Sequence, residues 1–468
     1  MLVTRVEIDG RAVRDVRCEN GVISAIDHDL PRVGDEPMID AAGGAVVPGL
    51  HDHHIHLLAL AAADASVACG PPTVRTIAEL GDALGGRGND RAWIRGVGYH
   101  ESVAGDLDRD VLDRLVPDRP LRVQHRSGAA WILNSAAVGV LGLDTGVDAA
   151  GVERDRDGRA TGRLFRLDTW LREHIDATPP ELASVGKRLA GYGVTGVTDA
   201  TPDNSAATLA HIGRALETRH LHQRIVAMGP AGLPATIHPG IERGAVKLVL
   251  DERSLPEFDE LVGRIAAAHD DERAVAIHCV TRAELVFAAA AIEHAAPRIG
   301  DRIEHASVTP PEILEQLARL PITVVTQPGF IRERGDAYRV DVDADELPWL
   351  YRCRGFLEAR VALGGGTDAP FGDPDPWLAM QSAVSRRTGD GVVLGGDESL
   401  TPEQALALFT SAPGSPGGPS RRIEVGKTAD LCVLDSPWST AREELTSDRV
   451  LATVVGGEIT WSKDDPAC

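Results

Sequence analysis

Lysine is scarce in this chain. Only Lys187, Lys247, Lys427 and Lys463 occur in 468 residues, and the rest of the 48 basic residues are arginine. A lysine at a given place therefore asks for a reason, although Lys463, close to the last residue, suits a plain surface position. Paired cysteines are missing too. Cys18, Cys69, Cys279, Cys353, Cys432 and Cys468 are scattered with no CxxC spacing, which excludes a disulfide framework and a cysteine zinc site. Apolar runs such as residues 57–63 are far too short to cross a bilayer. No leader-like opening is seen, because Met1 to Gly10 already alternates with charges, and the expectation is a cytoplasmic protein. Positive charge is in deficit, with a net −22, which argues against nucleic acid and anionic membrane as partners and leaves a small-molecule substrate. A homodimer is expected, two-fold dimers being the commonest oligomers.

With 43% apolar and 25% charged residues, the chain has the composition of a globular protein large enough for one domain of about 250 residues and a smaller one. Residues 1–47 read as short strands with Gly and Asn-Gly punctuation, and the last fifty residues share that texture. Two all-β ends flanking a long middle predict one small β-sandwich built from residues 1–47 and 415–468. In the middle, apolar strand-like runs alternate with helical stretches: GVTGVTDA, AVKLVL, AVAIHCV, RIEHASV, PITVVTQP and VALGGGTDA, with Val46–His56 before them. PLRVQHRSG (120–128) is the candidate for the missing second strand. Eight strands alternating with helices predict an α/β fold, a (β/α)8 TIM-like barrel over 48–414, with an insertion or lid around 136–178. SAPGSPGGPSRR (411–422) reads as the linker leaving the barrel.

The run VVPGLHDHHIH (46–56) organises the rest. On a strand, side chains alternate between faces, so Asp52, His54 and His56 share one face and His51, His53 and Ile55 the other. Two neutral imidazoles side by side form a metal-ligand arrangement; a polar, His-rich loop is the plainer reading. In barrels of this kind reactive side chains sit at the C-terminal ends of strands. Those ends carry His54 and His56, Lys247, His278, His305 and Asp368, from five strands. Singly, a strand histidine is usually a core residue and an aspartate after Gly364–Gly366 a turn residue; jointly they point to a metal centre. A lysine inside AVKLVL is costly to bury as a cation. Unlike arginine, it can lose its proton, and a neutral amine can react with carbon dioxide to give a carbamate able to bridge two cations. The plainer alternative is a lysine reaching outward or paired with Asp199 or Asp251.

The run PGLHDHHIH resembles the PGxxDxHxH signature of the amidohydrolase superfamily. RIEHAS, GGTDAP with DPDPW, LTPEQALALFT and GKTADLCVLD follow in that superfamily's order. The chain is most similar to the YtcJ-like, exoenzyme-regulatory-type branch, which PDRPLRVQHRSGAAWILNS and TVVTQP also resemble. The resemblance implies a metal-dependent hydrolase of carbon–nitrogen bonds (amide, cyclic amide or carbamate) with two divalent metal ions, zinc first among them. Carried over position by position, His54, His56 and Asp368 would hold one metal, His278 and His305 the second, and carbamylated Lys247 would bridge them. A hydroxide between the metals would be the nucleophile, and Asp368 the catalytic base, then acid. Asp52 would orient a histidine, or simply cap a strand.

The chain departs from that branch in two places where substrate is expected. Ala129 stands where a histidine usually follows the glycine, with His125 four residues earlier, and Arg166 stands where a glutamate often follows TGxL. His125, Trp131, Arg163 and Arg166, with Arg332, are the candidates for lining the substrate pocket, though an arginine here is more often plain surface. Two rival activities are a single-metal deaminase of the same superfamily and an ester hydrolase. The deaminase reading expects a glutamate three residues after His278; Thr281 is there, Glu284 lies three further on, and Lys247 would have no task. A non-catalytic relative would be expected to have lost ligands, yet all six positions are filled.

Overall fold

Eight parallel strands follow one another around a nearly closed barrel: Leu50–Ile55, Val194–Asp199, Arg224–Gly229, Ile241–Val249, Val275–Cys279, Arg302–His305, Thr323–Thr326 and Ala362–Gly365. The computed structural model describes residues 1–11, 13–86, 93–145, 150–175, 179–236 and 238–464. Cys468 and parts of the 136–178 segment lie outside them. The first two strands are buried along their whole length, as parallel strands covered on both faces are. Beyond the eighth strand the chain closes the ring, with the Asp368 N–H donating to the His54 carbonyl (2.8 Å) and the His56 N–H to the Ala369 carbonyl (2.9 Å). Gly366 permits this approach, since a Cβ there would stand 2.5 Å from the His54 Cβ.

One strand of this ring escapes sequence reading. Arg224–Gly229 is joined to Ile241–Val249 with no helix between them, so it breaks the strand–helix alternation that betrays the others. The segment expected in its stead, 120–128, is not in the barrel. Leu121–His125 pairs with Ile94–Tyr99 and Ala130–Leu133 in a separate six-stranded sheet. That sheet belongs to a second compact unit, Leu58–Glu181, the first being Met1–Leu57 with Leu182–Cys468. The expected insertion at 136–178 is thus part of a longer inserted unit with hydrophobic clusters of its own, one around Leu80, Leu112 and Val123 and one around Trp131, Leu143 and Leu164. A strand alternating Leu, Val and His looks alike in either sheet; only its partners differ.

The two termini meet as expected, but in one curled sheet. Its order is Glu458–Ser462, Val450–Val455, Leu431–Leu434, Ala45–Pro48, Leu2–Ile8, Arg14–Glu19, Val22–Asp27, with Met38–Asp40 beside Leu2–Ile8. Val3, Val6, Val16, Ile23, Leu431, Val433, Ala452 and Val454 belong to one buried hydrophobic cluster on it. The junction between Ala45–Pro48 and Leu50–Ile55 carries the chain from this sheet straight into the barrel. The cysteines behave as their spacing implies: Cys18, Cys69, Cys279, Cys353 and Cys432 are free and buried. Among the described residues no helix is long and apolar enough to cross a membrane.

Candidate metal centre

Six side chains from five strand ends gather at one end of the barrel. His54 Nε2 and His56 Nε2 lie 3.4 and 3.2 Å from the same Asp368 carboxylate oxygen, and these three residues can present one donor atom each within 4.8 Å of one another. The His305 ring is 4.8 Å from that of His54 and 4.5 Å from that of His278, centre to centre. His51 and His53, on the other face of the first strand, turn away to Thr198 and Ser411, each at 2.9 Å. The period of two therefore separates the histidine run as its alternation requires. His305 and Asp368 both hold left-handed backbone, at φ 69° and 58°, a conformation that costs a non-glycine residue about 1 kcal/mol or more and concentrates at working sites.

The Nδ1 atoms of three of these histidines are occupied from behind. His54 Nδ1 is bonded to Glu304, His56 Nδ1 to Thr201 (3.1 Å) and His305 Nδ1 to Gln327 Oε1 (2.7 Å). Glu304 and Gln327 Oε1 are acceptors and leave the lone pairs of His54 and His305 on Nε2, whereas the Thr201 hydroxyl can donate to or accept from His56; Nε2 is the atom that faces the cluster in His54 and His56. Burial, reinforced by Lys247, lowers the His54 pKa to about 4, and burial lowers that of His305 to about 3. Both are thus neutral, as a metal ligand must be. Nitrogen-15 NMR of the chelator-treated protein at pH 5 should show both as neutral Nδ1–H tautomers; an imidazolium signal from either would remove that description. The sign for stability follows. Both folded-state values lie below the ordinary 6.5, so unfolding takes up protons and these two residues oppose folding increasingly as pH falls from about 6.5 toward 4.

Asp368 stays ionised. Burial would raise its pKa, but the hydrogen bond from His56 and the nearby His54 and His305 outweigh it and hold it well below the usual carboxylate range. Asp52 acts through the main chain and not on an imidazole: its carboxylate accepts from the N–H groups of His54 (3.0 Å) and Thr367 (3.1 Å) and from the Thr367 hydroxyl (2.5 Å). It ties the loop carrying Asp368 to the strand carrying His54. Burial raises its pKa to about 7 against those bonds.

Lys247 starts one layer deeper. It is level with Ala276, itself level with Arg302, whereas His278 is level with Glu304. Its long side chain rises to bring Nζ 3.9 Å from a Glu304 oxygen. That amine is buried without a hydrogen-bond partner, and burial lowers its pKa to about 8. Neither expected partner is used: Asp199 holds Leu57, Thr201 and Asn204, and Asp251 caps a short helix.

Glu304 and Arg302 are the residues the sequence reading passed over. Fully buried Glu304 bonds both His54 and Arg302, and Arg302 also donates to the His53 carbonyl at 2.7 Å. Burial would raise the pKa of Glu304, but Arg302, Lys247 and His54 keep it well below its ordinary value. The clue in RIEH was that residues two apart on a buried strand share a face, which places an acid and a base together in the barrel interior. Glu284, the weighed proton shuttle, is spent on main chain: it completes a capping box with Thr281 and accepts from Val280 (2.7 Å) and Glu252 (3.0 Å).

His125, Trp131, Arg163 and Arg166 belong to the inserted unit. There His125 pairs with Glu101 at 3.1 Å, Trp131 Nε1 donates to Asp168 at 2.8 Å, and Arg163 pairs with Glu153 at 3.2 Å. Arg166 is exposed and holds left-handed backbone at φ 55°. Arg332 is exposed on the helix Gly329–Asp341.

Comparison with known proteins gives a consistent result. The model of the amidohydrolase family matches residues 38–461. An N-substituted formamide deformylase from Arthrobacter pascens is 27% identical, over 92% of this chain and 90% of its own. YtcJ of Bacillus subtilis (strain 168), named as an amidohydrolase, is 25% identical over 91% and 90%. Among solved structures, an uncharacterized metal-dependent hydrolase from Pyrococcus horikoshii superposes with a TM-score of 0.71 at 20% identity, over 93% of this chain and 97% of the other.

Proposed function

Because the chain belongs to the amidohydrolase family and is a metal-dependent hydrolase acting on carbon–nitrogen bonds, we propose that it cleaves an amide, cyclic amide or carbamate in a small molecule at the cluster around Asp368. The observation that carries this reading is the convergence of His54 and His56 on one Asp368 oxygen. The donor set fits divalent metal: neutral imidazoles, an ionised carboxylate, and a buried amine with no hydrogen-bond partner. His54, His56 and Asp368 would hold one ion, His278 and His305 a second, with Lys247, carbamylated, shared between them. Imidazole and carboxylate ligands suit zinc. Two such ions would supply an activated water and polarise the scissile carbonyl.

The chain's own groups supply the rest. Asp368 takes the proton of the attacking water and returns it to the departing nitrogen, the base-then-acid role its ionised state permits. Glu304, Thr201 and Gln327 keep the imidazoles turned. The Lys247 amine, without a hydrogen-bond partner and with a pKa near 8, is neutral in part at physiological pH and can add carbon dioxide. Its nitrogen forms the new C–N bond and gives up a proton, leaving an anion where the structure has an unpartnered amine. The formamide deformylase named above cleaves an amide, which supports an amide over an ester.

Metal analysis tests this directly. Close to two equivalents of divalent metal per chain are expected, falling to one or fewer in Lys247→Ala together with turnover in a screen of N-acyl amino acids, cyclic ureas and aryl esters. One equivalent in the parent protein, with activity intact in Lys247→Ala, would leave the single-metal deaminase as the better description.

A further inference from the structure

On the helix Gly329–Asp341, Phe330, Arg334 and Tyr338 stand at four-residue spacing along one face, and Phe330 and Arg334 reach the loop that follows Asp368. The Arg334 guanidinium lies over the Phe330 ring, 3.9 Å from its centre, and donates one N–H to the Phe371 carbonyl at 2.5 Å. Phe371 in turn donates its N–H to the Asp368 carbonyl (2.8 Å) and sets its ring edge-on to His56, 5.6 Å between centres. Tyr351 packs against Phe330 and meets the Tyr338 hydroxyl at 3.2 Å. An aromatic wall with one cation therefore runs on from the candidate metal centre.

That cation is not neutralised. Several other buried or half-buried arginines have their charge or donors taken up: Arg302 by Glu304, Arg352 by Glu398 at 2.6 Å, Arg224 by Asp430 at 2.6 Å, and Arg386 by the carbonyls of Leu394, Tyr351 and Leu350. Among the described residues no carboxylate comes within ion-pair distance of Arg334. Its neighbour Glu333 is turned to the Asp373 N–H at 3.1 Å. Arg334 is half-buried, and its remaining donors are not enclosed by protein. A guanidinium fixed on an aromatic face and tethered by one N–H presents its open edge in the geometry that takes a carboxylate by two parallel bonds. In a chain with 70 acidic residues, leaving such a group unpaired beside the reacting centre calls for an anion from outside.

We propose that Arg334 binds the carboxylate of the substrate, so that the substrate class is an acid bearing its scissile amide or carbamoyl nitrogen close to the carboxylate, as in N-acyl and N-carbamoyl amino acids. The substrate class rests on the hydrolytic reading above; the carboxylate site does not. With the acid held at Arg334, the apolar part of the molecule lies along Phe371 and Phe330 and the acyl group faces His56 and Asp368. Arg334 makes no contact with the reacting atoms and sets specificity.

The test is equilibrium binding by calorimetry to the full-length, metal-loaded protein. The probes are the N-acetyl derivatives of glycine, leucine and phenylalanine, each as the free acid and as the uncharged carboxamide. At least one acid should bind about 10–100-fold more tightly than its carboxamide, as a charged, two-pronged hydrogen bond implies. Arg334→Met should abolish that preference while leaving carboxamide binding and the circular dichroism spectrum unchanged, and Arg334→Lys should restore part of it. No acid preference in the parent protein, or a preference that survives Arg334→Met, overturns the proposal. Acetate release from the same probes is read separately. Acid preference without release would sink the hydrolysis of these amides and spare the carboxylate site; release without acid preference would do the reverse.

Discussion

Asp368→Asn should lower turnover by about 10³-fold while the protein keeps its fold and its metal. The size follows from what a positioned proton carrier contributes, about 10²–10⁴-fold. The choice of asparagine follows from the backbone. Asp368 holds φ 58°, a conformation asparagine tolerates better than other replacements, and the asparagine carbonyl oxygen still offers a lone pair to an ion beside His56, whose Nε2 is 3.2 Å from the carboxylate now. What is removed is the group that accepts a proton. Steady-state kinetics on any substrate from the screen, beside metal analysis of the same sample, make the measurement. Activity within tenfold of the parent would take Asp368 out of proton transfer and leave it a ligand at most.

The largest stability change is expected at the residue behind the histidines. Glu304→Leu should destabilise the chelator-treated protein by about 3–5 kcal/mol, because it leaves the Arg302 and Lys247 cations buried beside each other with no anion. Arg302→Met/Glu304→Leu should cost clearly less than Glu304→Leu alone. Removing both partners of a buried pair takes away the desolvation penalty with the attraction, and only the single change strands a charge. Denaturant titration of the parent, Glu304→Leu, Arg302→Met and the double variant closes the cycle. In the metal-loaded protein, Glu304→Gln should weaken metal binding by about 10–100-fold, since His54 exchanges a charged acceptor for a neutral amide that polarises the ring less. A Glu304→Leu cost below about 1 kcal/mol would mean the carboxylate is not the counter-ion of this interior.

These predictions show which parts of the molecule were legible in the chain. The metal centre was readable where it rests on local periodicity. HDHHIH on a strand divides its histidines by parity, and the structure sends His54 and His56 one way and His51 and His53 the other. Lys247 was readable through its rarity: in a chain that writes positive charge as arginine, a lysine in an apolar strand stands out, and it lies buried without a hydrogen-bond partner. The curled sheet from both termini was readable as texture at the two ends.

Other features were silent. Arg224–Gly229 and Leu121–His125 are both short alternating strands, and nothing local says which belongs to the barrel; the choice is made by hydrogen-bond partners far away in sequence. Glu304 looked like one more acid in an acidic chain until Arg302, His54 and Lys247 were found around it. Arg334 is one of many arginines, and what sets it apart is an open guanidinium edge beside the loop that follows Asp368, a property of the packed molecule alone. The sequence by itself determined which atoms can bind metal and carry a proton, and which strands alternate, because donor chemistry and period are properties of residues and their immediate neighbours. The tertiary structure decided which strand pairs with which, which charges are neutralised and which are left open, because pairing and desolvation depend on groups that meet only when distant segments fold together.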